Sequence, residues 1–314
     1  MKKIVSVSLG SSDRDHKVTT EILGEEAEIQ RIGTNGDLGR AVALLQELDG
    51  KVDAFGIGGI DLYLVVGSKR YMLRDGKKMA AAVKTTPIVD GSGLKNTLER
   101  KVIKYLDASK QVSFRGRKVL MVCAADRFGM AEELIGCGSS LTMGDLIFSM
   151  GIDYPIHSLA RLDRLARMLA PVVSTLPTKY IYPTGNGEKR PNPKFFKYYA
   201  EAEIIAGDFL YIRKHLPPRL DGKTIITNTV TQKDVNILEQ AGASKLITTT
   251  PELNGRSFGT NVMEALLVAY LGKPVNSIAP QEYSEMLDRI GFLPRILDFT
   301  PKKTDKQQIA QGGR

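Results

Sequence analysis

The order of apolar and polar positions divides the chain into two stretches of alternating strand and helix. In the first, Lys3–Leu9 predicts a strand and Lys17–Ile32 further strand with a turn at Gly24. Leu38–Leu48 has helical spacing, with Asn35 or Asp37 placed to cap it. Val52–Ile57 and Thr86–Val89 predict short strands on either side of the glycine-rich run GIGGIDLYLVVGSKRY. Leu94, Leu98, Val102 and either Tyr105 or Leu106 fall on one face of a helix, and the polar run Asp107–Arg117 then predicts a linker.

Beyond the linker the alternation becomes regular. Strands are expected at Lys118–Ala124, Ser140–Gly144, Tyr180–Pro183, Glu203–Ala206, Thr224–Val230 and Lys245–Thr249. Helices are expected at Gly129–Ile135, Ser158–Val173, near Lys194–Ala202, at Gln232–Ala241 and at Thr260–Leu271. Parallel neighbours need crossover helices, so this pattern predicts a two-domain α/β protein whose C-terminal domain is a doubly wound, Rossmann-like parallel sheet. The expected division is a smaller α/β substrate domain over 1–110, a dinucleotide-binding domain over 111–272, a segment 273–300 returning to the first domain, and a flexible basic tail over 301–314.

Composition alters this picture little. At 314 residues the chain can bury full cores without disulfides or structural metal. Cys123 and Cys137 lie in apolar surroundings without C-x-x-C spacing, which reads as buried thiols in a reducing cytoplasm. The N-terminus runs straight into a strand, and no stretch approaches the roughly 20 apolar residues of a membrane span. The net charge of +9 draws on the tail, where Lys302, Lys303, Lys306 and Arg314 face the one Asp305. The rest is dispersed, so it suits solubility or attraction of an anionic small molecule rather than nucleic acid. His16, His157 and His215 are scattered and GCGSS lacks the G-x-S-x-G order, which leaves metal-dependent hydrolysis and nucleophile-elbow chemistry unsupported.

In a doubly wound sheet, ligands bind beyond the carboxyl ends of the strands. The candidate ends here are CAADRFG, AGDF, TNTVT, TTTPELNGRSFGTN and VDGSG. They nominate Ala124, Asp126, Arg127, Gly129, Asp208, Asn228, Thr229, Thr249, Arg256, Ser257 and Gly259 for the phosphates and ribose of a nucleotide. CAADRFG holds one glycine where G-x-G-x-x-G has three, with Arg127 as a compensating charge. Asp145, about 20 residues on, stands where an acidic residue meets a ribose 2′-hydroxyl, or else caps the helix LIFSMG. Asp61, in GGIDLY, is either a substrate ligand or a turn residue.

The run TTPIVDGSGLKNTLERKVIKYL followed by FRGRKVLMVCAADRFGMAEEL resembles the domain junction of the quinate/shikimate dehydrogenases over about fifty residues. Asp90, Gly91 and Gly93 match that family's N-T-D-G-x-G segment, and Gly116–Val122 its G-K-x-V-L-V-x-G strand. The resemblance implies an NAD(P)-dependent oxidoreductase acting on a secondary hydroxyl of a small polyol or hydroxy acid, with NAD or NADP as cofactor. Asp90 would then be paired with a lysine, for which Lys69, Lys77, Lys78 and Lys84 are candidates by position and Lys84 is chosen. Ser6 and Ser8, with Asp61, would hold the hydroxylated or anionic substrate. The family's N-V-T-x-P-x-K segment, which carries its lysine, has no counterpart here. The alternative is a non-redox nucleotide- or phosphometabolite-binding protein, a regulator or transferase. A homodimer is left open.

Overall fold

The computed structural model describes residues 1–66, 69–177, 181, 191–253 and 256–299, with backbone alone at 252, 253, 256 and 257. Strand Tyr180–Pro183, apart from Ile181, and the tail 301–314 fall outside the described residues.

Two sheets dominate the molecule. The first contains β1 (Lys2–Ser8), β2 (His16–Ile22), β3 (Glu25–Gly33), β4 (Ala54–Gly58) and β7 (Ile88–Val89) in the order β2-β3-β1-β4-β7. All its pairs are parallel except β2 with β3. That antiparallel pair is a hairpin turning on Leu23 and Gly24, at φ 54° and 78°. Such a pair of left-handed residues twists the turn in the sense the strands need. Helix α1 (Leu38–Leu48) is capped by Asp37, whose carboxylate accepts the Arg40 N–H at 2.9 Å. Ala41 and Leu45 of α1 pack with Val5, Val7, Phe55 and Ile57 on one face of the sheet. The glycine-rich run, for which the sequence predicts no element, forms a separate hairpin of β5 (Tyr63–Val66) and β6 (Lys69–Met72), followed by helix α2 (Arg74–Ala80).

Helix α3 (Ser92–Ala108) leads to the second sheet, built from β8 (Lys118–Met121), β9 (Ser140–Met143), β10 (Ile204–Gly207), β11 (Thr224–Thr227), β12 (Lys245–Thr248) and β15 (Arg295–Asp298). The order is β15-β12-β11-β10-β8-β9, parallel except for β15. The sixth strand is therefore β15, which pairs antiparallel with β12. Of the segment 273–300, expected to return to the first domain, RILD finds its hydrogen bonds along the open edge of β12, while Val275, Asn276 and Tyr283 lie beside Arg70 and Asp90 of the first domain.

The element that does reach the first sheet comes earlier. Helix α10 (Thr260–Leu271), which follows the short strands β13 (Glu252–Leu253) and β14 (Arg256–Ser257), buries Val262, Met263, Ala265, Leu266, Leu267 and Val268. A helix apolar all round is one covered on every side. Here α10, α3, helix α4 (Phe128–Gly136) and helix α11 (Pro280–Arg289) share a single core with the inner faces of both sheets, through Ile4, Ile29, Ala54 and Val89 of one and Val119, Ala206, Ile226 and Ile247 of the other. The outer face of the second sheet is covered by α5 (Asp145–Met150), α7 (Phe196–Glu201), α8 (Phe209–Lys214) and α9 (Gln232–Gln240). Helix α6 (Leu159–Val173) carries its arginines on the solvent side. Among the described residues no helix is long and apolar enough to cross a membrane.

Glycine makes the contact between α10 and the first sheet close enough. A Cβ on Gly56, in the middle of β4, would stand 2.7 Å from the Asn261 carbonyl oxygen. Gly56→Ala should therefore cost roughly 1–3 kcal/mol, because backbone rather than a flexible side chain must shift. Gly136→Ala, with no heavy atom within 4 Å of its Cβ position, should be neutral or gain up to about 1 kcal/mol. Urea denaturation of the two variants checks the contrast, and equal stabilities would show that α10 is not held tightly against β4.

Candidate functional site

The strand order of the second sheet reverses beside β8, and the side chains gathered at the carboxyl ends of β8 and β10 are charged. Arg127 follows β8 and is buried, with its guanidinium donating to Glu99 of α3 and, at 3.1 Å, to Asp208 after β10. The same Asp208 oxygen accepts from the Asn228 amide at 2.7 Å, while its other oxygen caps α8 through the Leu210 N–H. One turn of α3 away, the Lys95 ammonium reaches both oxygens of Asp126 at 2.8 and 2.9 Å and lies 4.0 Å from Asp61. Burial opposes the charges on Lys95 and Arg127, but the carboxylates around them hold both cations above their ordinary values. Burial pushes Glu99 up to about 7, against the pull of Arg127 and Lys95.

This turn does not fit a dinucleotide. The Asp145 carboxylate accepts the N–H groups of Ala124 and Ala125 at 3.0 and 2.8 Å, so donors that a pyrophosphate or ribose would need are already used. Burial also raises Asp145 above the usual carboxylate range. Gly129 lies against the Asn96 side chain of α3, and its lack of a side chain serves a helix contact rather than a phosphate. Arg127 compensates for its own neighbours, Glu99 and Asp208. Asn228 orients Asp208 and accepts the Phe209 N–H. Thr229 donates to the Phe258 carbonyl. Thr249 is fully buried, with its hydroxyl unpartnered. Gly259 occupies the N-cap of α10, and the Arg256 and Ser257 side chains fall outside the described residues.

The residues assigned to catalysis and substrate are also rearranged. Lys84 is exposed in the turn before β7, where its backbone N–H donates to Asp49, whereas Asp90 follows β7. The two stand at opposite ends of that strand, so the expected pair does not form, and the lysine set among aspartates is Lys95. Asp90 accepts the N–H groups of Leu62, Tyr63 and Ser92 at 2.6, 3.1 and 2.9 Å. Ser6 accepts from the Asn261 amide at 2.9 Å, and Ser8 from Arg31 at the same distance. Both serines are spent on the packing of the first sheet. Asp61 belongs with Lys95.

Asp90 nevertheless borders a cavity of about 320 Å³, between the β5–β6 hairpin, the start of α3 and the approach to α11. Arg70, Asn276, Glu264 and Tyr283 share its lining with apolar Ile88, Val89, Val275 and Ile278. The Tyr283 hydroxyl donates to Glu264 Oε1 at 3.1 Å. Gly93 is required beside it, because any Cβ there would collide with the Glu264 carboxyl. Burial, with the charge of Asp90 nearby, pushes Glu264 up to about 8. Burial likewise raises Tyr283 far above the ordinary phenol value. The Arg70 guanidinium lies 5.8 Å from the centre of the Tyr63 ring.

Sequence reasoning missed Lys95, Glu99, Arg70, Glu264 and Tyr283. Three of these left a signal: Lys95 and Glu99 interrupt the apolar face of α3 one turn apart, and Glu264 is the one acid in its helix.

The charge cluster predicts an asymmetric cost of mutation. Arg127→Met leaves Glu99 and Asp208 without their cation in a buried setting and should destabilise the protein by roughly 3–5 kcal/mol. Adding Glu99→Leu should recover a large part of that loss. Denaturation of the single and double variants measures both, and a single-variant loss below about 1 kcal/mol would mean that the pair is not structural.

Solved structures similar to the chain are distant. A sugar transport substrate-binding protein from Bordetella parapertussis is 12% identical, with 95% of this chain and 89% of that one covered and a TM-score of 0.36. An arabinose-binding protein from Geobacillus stearothermophilus is 8% identical, with 95% and 97% covered and a TM-score of 0.40. A glutamate dehydrogenase from Thermus thermophilus is 12% identical, with 92% and 73% covered and a TM-score of 0.43. The expected oxidoreductase of the quinate/shikimate type is withdrawn on the geometry above: Lys84 and Asp90 stand at opposite ends of β7, and Asp145 already takes the N–H groups of the turn after β8. No curated protein matches the sequence. Residues 3–90 match the model of a domain of unknown function, DUF8753, and residues 93–299 that of a second, DUF8754, so the chain belongs to the DUF8754 family.

Proposed function

We propose that the protein binds a small hydroxylated or anionic molecule in the cavity bordered by Arg70, Asp90, Glu264 and Tyr283. The observation that carries this reading is the convergence, in one space of about 320 Å³, of a guanidinium, two carboxyl groups, a phenol and an amide from four different parts of the chain. Ligand pockets combine apolar walls with a few placed polar groups in this way, and they start at about 300 Å³. Hydroxyl-rich molecules need donors and acceptors together. Arg70 supplies donors, Asp90 acceptors, and Asn276 both. Ile88, Val275 and Ile278 form the apolar wall.

The wider architecture supports the same reading. Five parallel strands, with helices over both faces and an order that reverses beside β8, are consistent with a doubly wound, Rossmann-like sheet. We read that sheet as scaffold: its own crevice is filled by Arg127 and Glu99, and α10 carries Glu264 to the cavity at the edge of the first sheet.

Titration calorimetry with D-glucitol, D-glucose and D-gluconate tests the proposal. At least one should bind, and Arg70→Ala, at an exposed position, should weaken it by about tenfold or more, the effect of losing one charged hydrogen bond. Absence of heat with all three, or binding indifferent to Arg70→Ala and to substitutions at Asn276, would overturn it.

A further inference from the structure

Glu264 poses a problem in the folded chain alone. Its side chain is 2% exposed, Oε1 accepts from Tyr283, and Oε2 has no hydrogen-bond partner. A buried polar atom left unpaired costs about 1–3 kcal/mol, so such atoms call for a partner. Glu264 borders the cavity, which is where a partner can enter.

The groups around it determine what that partner can be. Asp90 at the end of β7 uses one oxygen on two backbone N–H groups and the other on the Ser92 N–H, which leaves acceptor capacity on the second. Tyr283 on α11 is committed to Glu264. Arg70 on β6 and Tyr63 on β5 complete the titratable lining. With Glu264 protonated, Arg70 and Asp90 balance in charge. A ligand anion gains Arg70 but meets Asp90, and a cation meets the reverse. A ligand hydroxyl conflicts with neither, since it can accept from a carboxylic acid while donating to a carboxylate.

Resting on the binding reading above, we propose that the cavity takes an uncharged polyhydroxylated molecule, a sugar or polyol, and that Glu264 holds it as a neutral carboxylic acid through an Oε2–H donor. Asp90 then disfavours anions of the same skeleton, while neutral Glu264 supplies a donor to the sugar or polyol. When it ionises, the donor is lost and two carboxylates face the ligand. Binding is therefore strongest where Glu264 is protonated and weakens as pH rises through about 8.

The experiment is calorimetric titration of the wild-type protein with D-glucitol, D-glucose and D-gluconate at about pH 6.5 and 9.5, with circular dichroism confirming the fold at both. The expected result is that glucitol or glucose binds at least about tenfold more tightly than gluconate at the lower pH, and loses about tenfold or more in affinity at the higher. In Glu264→Gln, which carries a permanent neutral donor, the ratio of affinities at the two pH values should fall close to one. If that variant does not fold, the wild-type profile decides. Tighter binding of gluconate overturns the choice of an uncharged ligand, a wild-type affinity that is the same at both pH values overturns the role of Glu264, and either leaves the cavity reading standing. No binding by any of the three overturns both.

Discussion

The structure depends on the burial of α10 between the first sheet and α3. A helix with apolar side chains on every face has no stable place at a surface, and here it is covered by β1 and β4 on one side and by α3 on the other, inside the core that both sheets share. That demand explains features that otherwise look unrelated. Gly56 admits the Asn261 backbone, Gly91 in its left-handed conformation does the same from the end of β7, and Ser6 provides a partner for the Asn261 amide. The DGSG turn, which in sequence suggests catalysis, is a seat for this helix. Glu264 rides on α10, so the packing that fixes the fold also fixes the polar wall of the cavity.

The buried charges follow from the same layering. Helix α3 lies against α4 and the turn after β8, and Lys95 and Glu99 project from it toward the carboxyl ends of the second sheet. Two cations and four carboxylates are thus gathered where a crevice would otherwise open. Breaking one of these pairs leaves a charge in a place that water does not reach, and that is why such clusters persist even where they contribute little net stability.

Much of the architecture was legible in the order of residues. The helix Leu38–Leu48, the hairpin turning at Gly24 and the helix Thr260–Leu271 were readable because period and caps agree there. The β5–β6 hairpin was not, since GIGGIDLYLVVGSKRY alternates poorly and its glycines mimic a loop. The strand RILD was not legible because it is short and gains its identity only from the edge of β12. At the site, local pattern identified Asp90, Asp126, Arg127 and Asp208 as residues with special environments. It could not say that they face one another. Arg127 looks like an anion receptor until Glu99, 28 positions earlier, is brought beside it.

The placement of α10 late in the chain also bears on synthesis. Ile4, Ile29, Ala54 and Val89 emerge from the ribosome long before the helix that covers them, and the sheet they belong to stays uncovered on one face while some 170 further residues are made. The edge of β12 waits longer still, until Arg295–Asp298 arrive to pair with it. Nascent chains of this protein therefore expose an apolar sheet face and then an open strand edge, two features that favour association with other chains. Chaperone dependence during translation, rather than fragility of the finished molecule, is the expected burden of this topology.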